Sequence, residues 1–172
     1  MIDIHEATLG WARARMLIQN GRVTTQALKL GSEMSELALN LLLHEDVKDD
    51  IGDMLVVMTI LAALQDDNLL TIISGTKIKT STKHVPFPLM VHYVGELQDK
   101  AIKGKNLSDD IAQIVNQLER IASAKGTTLL ECWEEAYEDI KDRKGFLNGE
   151  GCFIKESDEE YQLMLREGWI EE

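Results

Sequence analysis

The chain has 172 residues, 44% of them hydrophobic, enough for one compact domain with a sizeable core and too apolar for a disordered chain. It carries 18 basic and 30 acidic residues, a net charge of −12, which argues against a broad nucleic-acid-binding surface. An anionic substrate would therefore need a metal ion and a local cluster of Lys or Arg.

Residues 3 to 20 read as a first helix, with Ala7, Trp11, Ala14, Leu17 and Ile18 as its main apolar stripe and Gly21 as its stop. His5 reads as a surface or helix-start residue, and Trp11 as a core residue. Thr24 or Thr25 can cap a second helix that runs to about His44, with Leu30, Met34, Leu37 and Leu41 facing the core. HEDVKDD follows as an acidic turn and the first turn of a third helix, where Asp46 and Asp49 suit the helix dipole. The third helix ends near Gln65 and is apolar almost all round, which makes it central in the fold. Asn68 caps a shorter fourth helix that Gly75 weakens.

Residues 75 to 88, GTKIKTSTKHVPFP, hold both prolines and form the best linker. Lys77, Lys79 and Lys83 make it locally basic; it is either a solvated connector or a phosphate-facing loop, and His84 has no evident partner. Helical patterns return over 89–103, 107–125 and 128–144, with Thr128 and Glu131 at capping-box spacing and Gly145 as the final stop. The tail, 146–172, contains an Asn148-Gly149 turn and a short extended piece at 152–155. Tyr161, Leu163, Leu165, Trp169 and Ile170 can then dock a short helix.

Cys132 and Cys152 show no spacing for zinc, and a reduced, cytoplasmic protein with structural thiols is the simplest expectation. MIDIHEATLG does not read as a signal peptide. The longest apolar run, Met54 to Leu64, is too short to span a bilayer, so no membrane partner is expected.

The chemistry concentrates between Ser32 and Ala62. Glu33 and Glu36 on the second helix, and Asp50 and Asp53 on the third, are each spaced i, i+3, which puts each pair on one helical face. Such a pair is usually a solvated face. Two pairs on adjacent helices, one of them on the apolar side with Met54, Val57, Leu61 and Leu64, instead suggest a site. A helical hairpin would cluster the four carboxylates, which repel unless a cation joins them, and oxygen-only ligands favour Mg²⁺ or Mn²⁺.

The halves also align at one offset of 60 residues: Glu36 meets Glu96, Asp49-Asp50-Ile51 meets Asp109-Asp110-Ile111, and Leu69-Leu70 meets Leu129-Leu130. Glu33 meets Tyr93 and Asp53 meets Gln113, so a degenerate second half, 89–145, would lack the four-acid set carried by the first, 1–74.

These residues resemble the MazG-like all-α nucleotide pyrophosphohydrolases, a superfamily that includes dimeric dUTPases. Its signature E-E-x-x-E, spacer, E-x-x-D reads here as Ser32-Glu33-Met34-Ser35-Glu36, spacer, Asp50-Ile51-Gly52-Asp53. Ser32 stands where the first Glu is usual, and Asp50 replaces a Glu. AYEDIKDRKGFLNGEGCFIKESD further resembles the ending of short MazG-like proteins common in bacteriophages, with Lys141, Arg143, Lys144 and Lys155 as the phosphate-holding cations that resemblance implies.

The resemblance implies an all-α helical bundle of the MazG/dimeric dUTPase type, two tandem related halves and one active site per chain. It implies a Mg²⁺-dependent (d)NTP pyrophosphohydrolase in which Glu33, Glu36, Asp50 and Asp53 bind metal and act in catalysis. The sequence does not give the base specificity; a pocket between the halves lined by Trp11, His92, Tyr93 or Trp133 is one option, and core packing is the commoner use of each. A homodimer of the duplicated chain stays open. The competing expectation is a catalytically inactive helical module that binds a nucleotide or a protein.

Overall fold

A computed structural model describes residues 1–75 and 86–170. The chain is mostly helical, with the element order α1 (Ile2–Ala14), α2 (Val23–Leu43), α3 (Lys48–Leu64), α4 (Leu69–Gly75), α5 (Pro86–Ile102), α6 (Ser108–Ala124), α7 (Leu129–Ile140), β1 (Gly145–Leu147), β2 (Phe153–Lys155) and α8 (Glu159–Arg166). Lys77, Lys79, Lys83 and His84 of the expected linker lie outside the described residues. Among the described residues no single helix is long and apolar enough to cross a membrane.

α3 is the axis of the bundle, as its apolar sequence requires. Every residue from Asp50 to Ala62 is buried except Asp53, which is half-buried. It packs most extensively on α7 and α2, and also touches α1, α6 and α4. Gly52 permits the closest of these approaches. A Cβ there would lie 2.1 Å from the Cys132 carbonyl oxygen and 2.5 Å from the Ala136 Cβ of α7. Any side chain at 52 would therefore push α7 away from the turn that carries Asp50 and Asp53.

Local signals explain several boundaries. The Asn68 side chain accepts from the Leu70 and Thr71 amides at 2.9 and 3.2 Å, starting α4. Thr128 and Glu131 form the expected capping box at α7. Other boundaries differ from expectation. α1 ends at Ala14, not near residue 20, because Met16 takes a left-handed conformation and the Leu17 amide bonds back to Ala12 O at 2.9 Å. Neither Thr24 nor Thr25 caps α2; its N-cap is Arg22, and the Thr25 hydroxyl donates instead to Glu150 O at 2.7 Å. α5 starts at Pro86, three residues early, since proline is at home in a helical first turn.

α7 ends at Ile140 rather than at 144. Arg15 of α1's end explains this. Its guanidinium donates to Arg143 O at 2.8 and 2.6 Å and to Lys141 O at 3.1 Å, over the face of Trp11 at 4.8 Å. Gly145 is thus the first residue of a strand and not a helix stop. It pairs with Lys155 in an antiparallel hairpin, turned at Asn148, that also pairs Phe146 with Ile154 and Leu147 with Phe153. α8 follows as expected, but only Tyr161 of its apolar residues is buried, against Phe146; Leu163 is exposed and Trp169 is 71% exposed.

Backbone features recur 60 residues apart. α3 starts at Lys48 and α6 at Ser108; α4 starts at Leu69 and α7 at Leu129. The Lys48 amide bonds Asp46 Oδ1 at 3.1 Å and the Ser108 amide bonds Asn106 Oδ1 at 3.0 Å. Glu45 N to Asn40 O and Lys105 N to Lys100 O both measure 2.9 Å, closing turns in which His44 and Gly104 have φ of 60° and 63°. Asp67 N to Ala62 O and Thr127 N to Ala122 O do the same around Asp66 and Gly126, at φ 56° and 77°.

Gly52→Ala should destabilise the protein by about 1–3 kcal/mol through overpacking against α7. Gly10→Ala, whose Cβ would meet nothing within 4 Å, should instead be neutral or stabilising by up to about 1 kcal/mol. Paired urea melts read both, and equal effects at the two sites would refute the packing argument.

Candidate functional site

α2 and α3 run antiparallel through the His44 turn, which brings the Glu33–Glu36 turn of one beside the Asp50–Asp53 turn of the other. The carboxylates open on a cleft of ≈ 470 Å³. Glu33, Glu36 and Asp53 line it, together with Lys29, Arg143 and Lys155. Its apolar part is Trp11 and Leu17 from the α1 region, Val56, Val57 and Ile60 from α3, and Phe153 from the hairpin. The volume and the mixture of apolar wall with a few convergent charges are those of a small-molecule site.

Glu33 is 3% exposed and pairs with Lys29, one turn earlier on α2. Burial, then the neighbouring charges of Glu33 and Asp49, push the Asp53 carboxyl up to about 7, against which Arg143 and Lys29 act only partly. Asp50 is 8% exposed and does not line the cleft. Both of its carboxylate oxygens accept from Asn40 Nδ2, at 3.1 and 2.9 Å. Burial raises its pKa, the Asn40 bond opposes this, and Asp49, Glu36 and Glu33 raise it further. The pair recurs in the second half with one change: Asp110, 60 residues on, is held by Lys100 Nζ at 2.5 Å. The buried aspartate is thus neutralised in the second half but receives only a neutral donor in the first.

Of the cations expected at the phosphates, Arg143 and Lys155 reach the cleft. Arg143 is also paired with Asp139. Lys141 is exposed and paired with Glu138, and Lys144 is exposed, its carbonyl accepting from the Glu156 amide at 3.0 Å; neither lines the cleft. The cleft is lined by residues of 1–74, by Ile140 and Arg143 at the end of 89–145, and by the hairpin of the tail. Trp11 lines it, whereas His92 and Tyr93 are on α5, outside its lining. Trp133 is fully buried and donates to Thr8 Oγ1 at 3.0 Å. His5 is not a surface residue; it is buried edge-on to Trp133, with ring centroids 6.0 Å apart.

Three contributors were not assigned to the site by the sequence reading. Lys29 was signalled by its i, i+4 spacing to Glu33. Asp49, assigned to the helix dipole alone, also belongs to the acidic surroundings. Partial burial, then the charges of Asp139 and Glu135 on α7, raise its pKa. Phe153, which the sequence offered only as part of the C-terminal resemblance, comes to the cleft through hairpin pairing.

The donor set fits a hard divalent cation: carboxylate oxygens only, repelling one another, with pKa values raised where burial and like charge coincide. Among the described residues, no three His, Cys, Asp or Glu side chains converge closely enough to form a ready metal cage, and Lys29 takes the cationic role at Glu33. Comparison with models of known families, with curated proteins and with solved structures finds no match for this chain.

The raised pKa of Asp53 has a stability consequence. A carboxyl that titrates near 7 when folded and near 4 when unfolded binds its proton more tightly in the native state, so stability falls as pH rises through that window. In EDTA at pH 8, Asp53→Asn should therefore melt above the wild type by several degrees, about 2 kcal/mol after allowance for partial exposure. The gap should close as pH falls towards 4. A gap that is constant with pH, measured by calorimetry, would show that Asp53 carries no such penalty.

Proposed function

We propose that the protein is a Mg²⁺-dependent nucleoside triphosphate pyrophosphohydrolase of the MazG-like type, converting a (d)NTP and water to a (d)NMP and pyrophosphate. The observation that carries this reading is the shared cleft. Three carboxylates, Glu33, Glu36 and Asp53, face it together with the cations Lys29, Arg143 and Lys155, and the carboxyl of Asp53 is the one that burial and like charge raise. Acids and cations opening on one cavity suit a ligand that is itself a metal-bound polyanion.

Glu33, Glu36 and Asp53 would hold the ion, with Asp50 behind them on the same helix as Asp53. Mg²⁺ supplies neutralisation of phosphate charge and a more acidic bound water when present. Arg143, freed from Asp139, offers a planar fork to two phosphate oxygens, and Lys155 offers a point charge from the opposite strand of the hairpin. Attack by water on the α-phosphorus breaks its bond to the bridging oxygen, and pyrophosphate leaves. A carboxylate lining the cleft accepts the water's proton. Trp11, Leu17, Val57 and Phe153 keep the apolar end of the cleft dry.

The recurrence at 60 residues supports a chain of two related halves with a site in the first only. At the second-half positions Tyr93, Gln113 and the Lys100–Asp110 pair replace Glu33, Asp53 and Asn40–Asp50, which removes the unbalanced charge. One observation favours the rival reading of an inactive binding module: Lys29 already neutralises Glu33.

Pyrophosphate release from a panel of NTPs and dNTPs decides between them. Release that needs Mg²⁺, stops in EDTA and falls at least about 100-fold in Asp53→Asn is the expected result. No release from any nucleotide, or activity retained in Asp53→Asn, refutes the hydrolase reading.

A further inference from the structure

Gln26 stands on α2 seven residues before Glu33, which is two helical turns, or about 10 Å of rise. Ile60 stands the same distance beyond Asp53 on antiparallel α3. Both line the cleft, so its apolar end lies two turns from its acidic end. Gln26 is 6% exposed, yet its carboxamide has no hydrogen-bond partner among the described residues. No side-chain nitrogen or oxygen among them is both sealed from solvent and unbonded. The Gln26 amide is therefore not closed into the core; the surface it retains opens onto the cleft that the residue lines.

An amide that keeps open surface in a mostly apolar wall and bonds no other side chain is available to bond a ligand there. Its neighbour shows the contrast: the Thr25 hydroxyl is satisfied by Glu150 O at 2.7 Å. The apolar residues that line the cleft with Gln26 include Leu17, Ile60, Trp11 and Phe153. A flat, mostly apolar group with a polar edge suits such a wall. We propose that this end of the cleft is a nucleobase subsite in which the Gln26 carboxamide reads the polar edge of the base. The proposal rests on the nucleotide reading of the acidic end. The distance between the two ends is of the order that separates the α-phosphate of a nucleotide from the edge of its base.

The chemistry sets what is read. A carboxamide presents one acceptor and one donor side by side, and pairs with a base edge offering the complementary pair. With no partner to fix it, the amide can present donor and acceptor in either order, so preference follows from which base places a complementary pair within its reach. A carboxylate at the same place would present acceptors only, which matches the adjacent N1–H and N2–H of guanine.

The test measures kcat/KM for the four NTPs and four dNTPs with Mg²⁺, in the wild type, Gln26→Met and Gln26→Glu. Equilibrium dialysis of the same nucleotides runs alongside, and thermal melts confirm that the variants fold. Methionine keeps volume while removing both hydrogen-bonding groups. The expected result is a base preference that Gln26→Met flattens by about 10–100-fold, mainly in KM, and that Gln26→Glu turns towards guanine. A wild type without base preference, or a ranking unchanged in Gln26→Met, overturns the assignment. Base-selective binding without pyrophosphate release, flattened by Gln26→Met, would keep Gln26 as the reader and refute only the hydrolase reading. No nucleotide binding at all overturns both.

Discussion

The contact of α3 with α7 at Gly52 governs the rest of the bundle. α3 is surrounded on all sides, and one of its turns comes so close to α7 that no side chain fits between Gly52 and Cys132. A helix enclosed in this way has little freedom to rotate, because rotation by one residue would drive a side chain into α7. The direction of Asp50 and Asp53 is therefore set by packing at Gly52, two residues after the first and one before the second. α2 is the partner that the aspartates face, and the bond from Asn40 to Asp50 spans that seam.

Charge follows from this geometry. A buried aspartate can be accommodated by a cation or by neutral donors, and the two halves of the chain make different choices. Lys100 holds Asp110, whereas Asn40 holds Asp50. Within the same seam Glu33 and Asp53 add further negative charge, and the second half has Tyr93 and Gln113 at the corresponding places. The buried aspartate of α6 thus meets a cation, and that of α3 a neutral donor. Unbalanced charge on an otherwise well-packed axis lowers stability, and such a cost is characteristic of sites that await a ligand.

Much of the bundle was legible because its causes are local. The asparagine at 68 and the Thr128–Glu131 pair announce helix starts through side chains three residues or fewer from the amides they meet. The apolar girth of α3 announces its central place. The acid pairs were visible by spacing, and three of their four members do line one cleft. What was not legible depends on partners far along the chain. Arg15 ends α7 from 128 residues away. Thr25 serves Glu150 rather than its own helix, and His5 is buried by Trp133. Asp50 and Asp53 look equivalent in sequence, but only the fold turns one towards Asn40 and the other towards the cleft.

The β1–β2 hairpin closes one side of the cleft, and its moorings are of a different kind from the bundle's. Near its turn it is tied to the start of α2 by Arg22, which reaches Glu150 and the Gly149 carbonyl at 2.5 and 2.6 Å, and by Thr25. These bonds are exposed, and exposed bonds of this sort are individually weak and sensitive to salt. The turn of the hairpin can consequently fray more readily than its strands, where Leu147, Phe153 and Ile154 pack inward. In amide hydrogen exchange it would form a fast-exchanging unit separate from α3, and raised ionic strength would speed its exchange while leaving the bundle's unchanged. The rim of the cleft beside that turn would then respond to salt, while its helical walls would not.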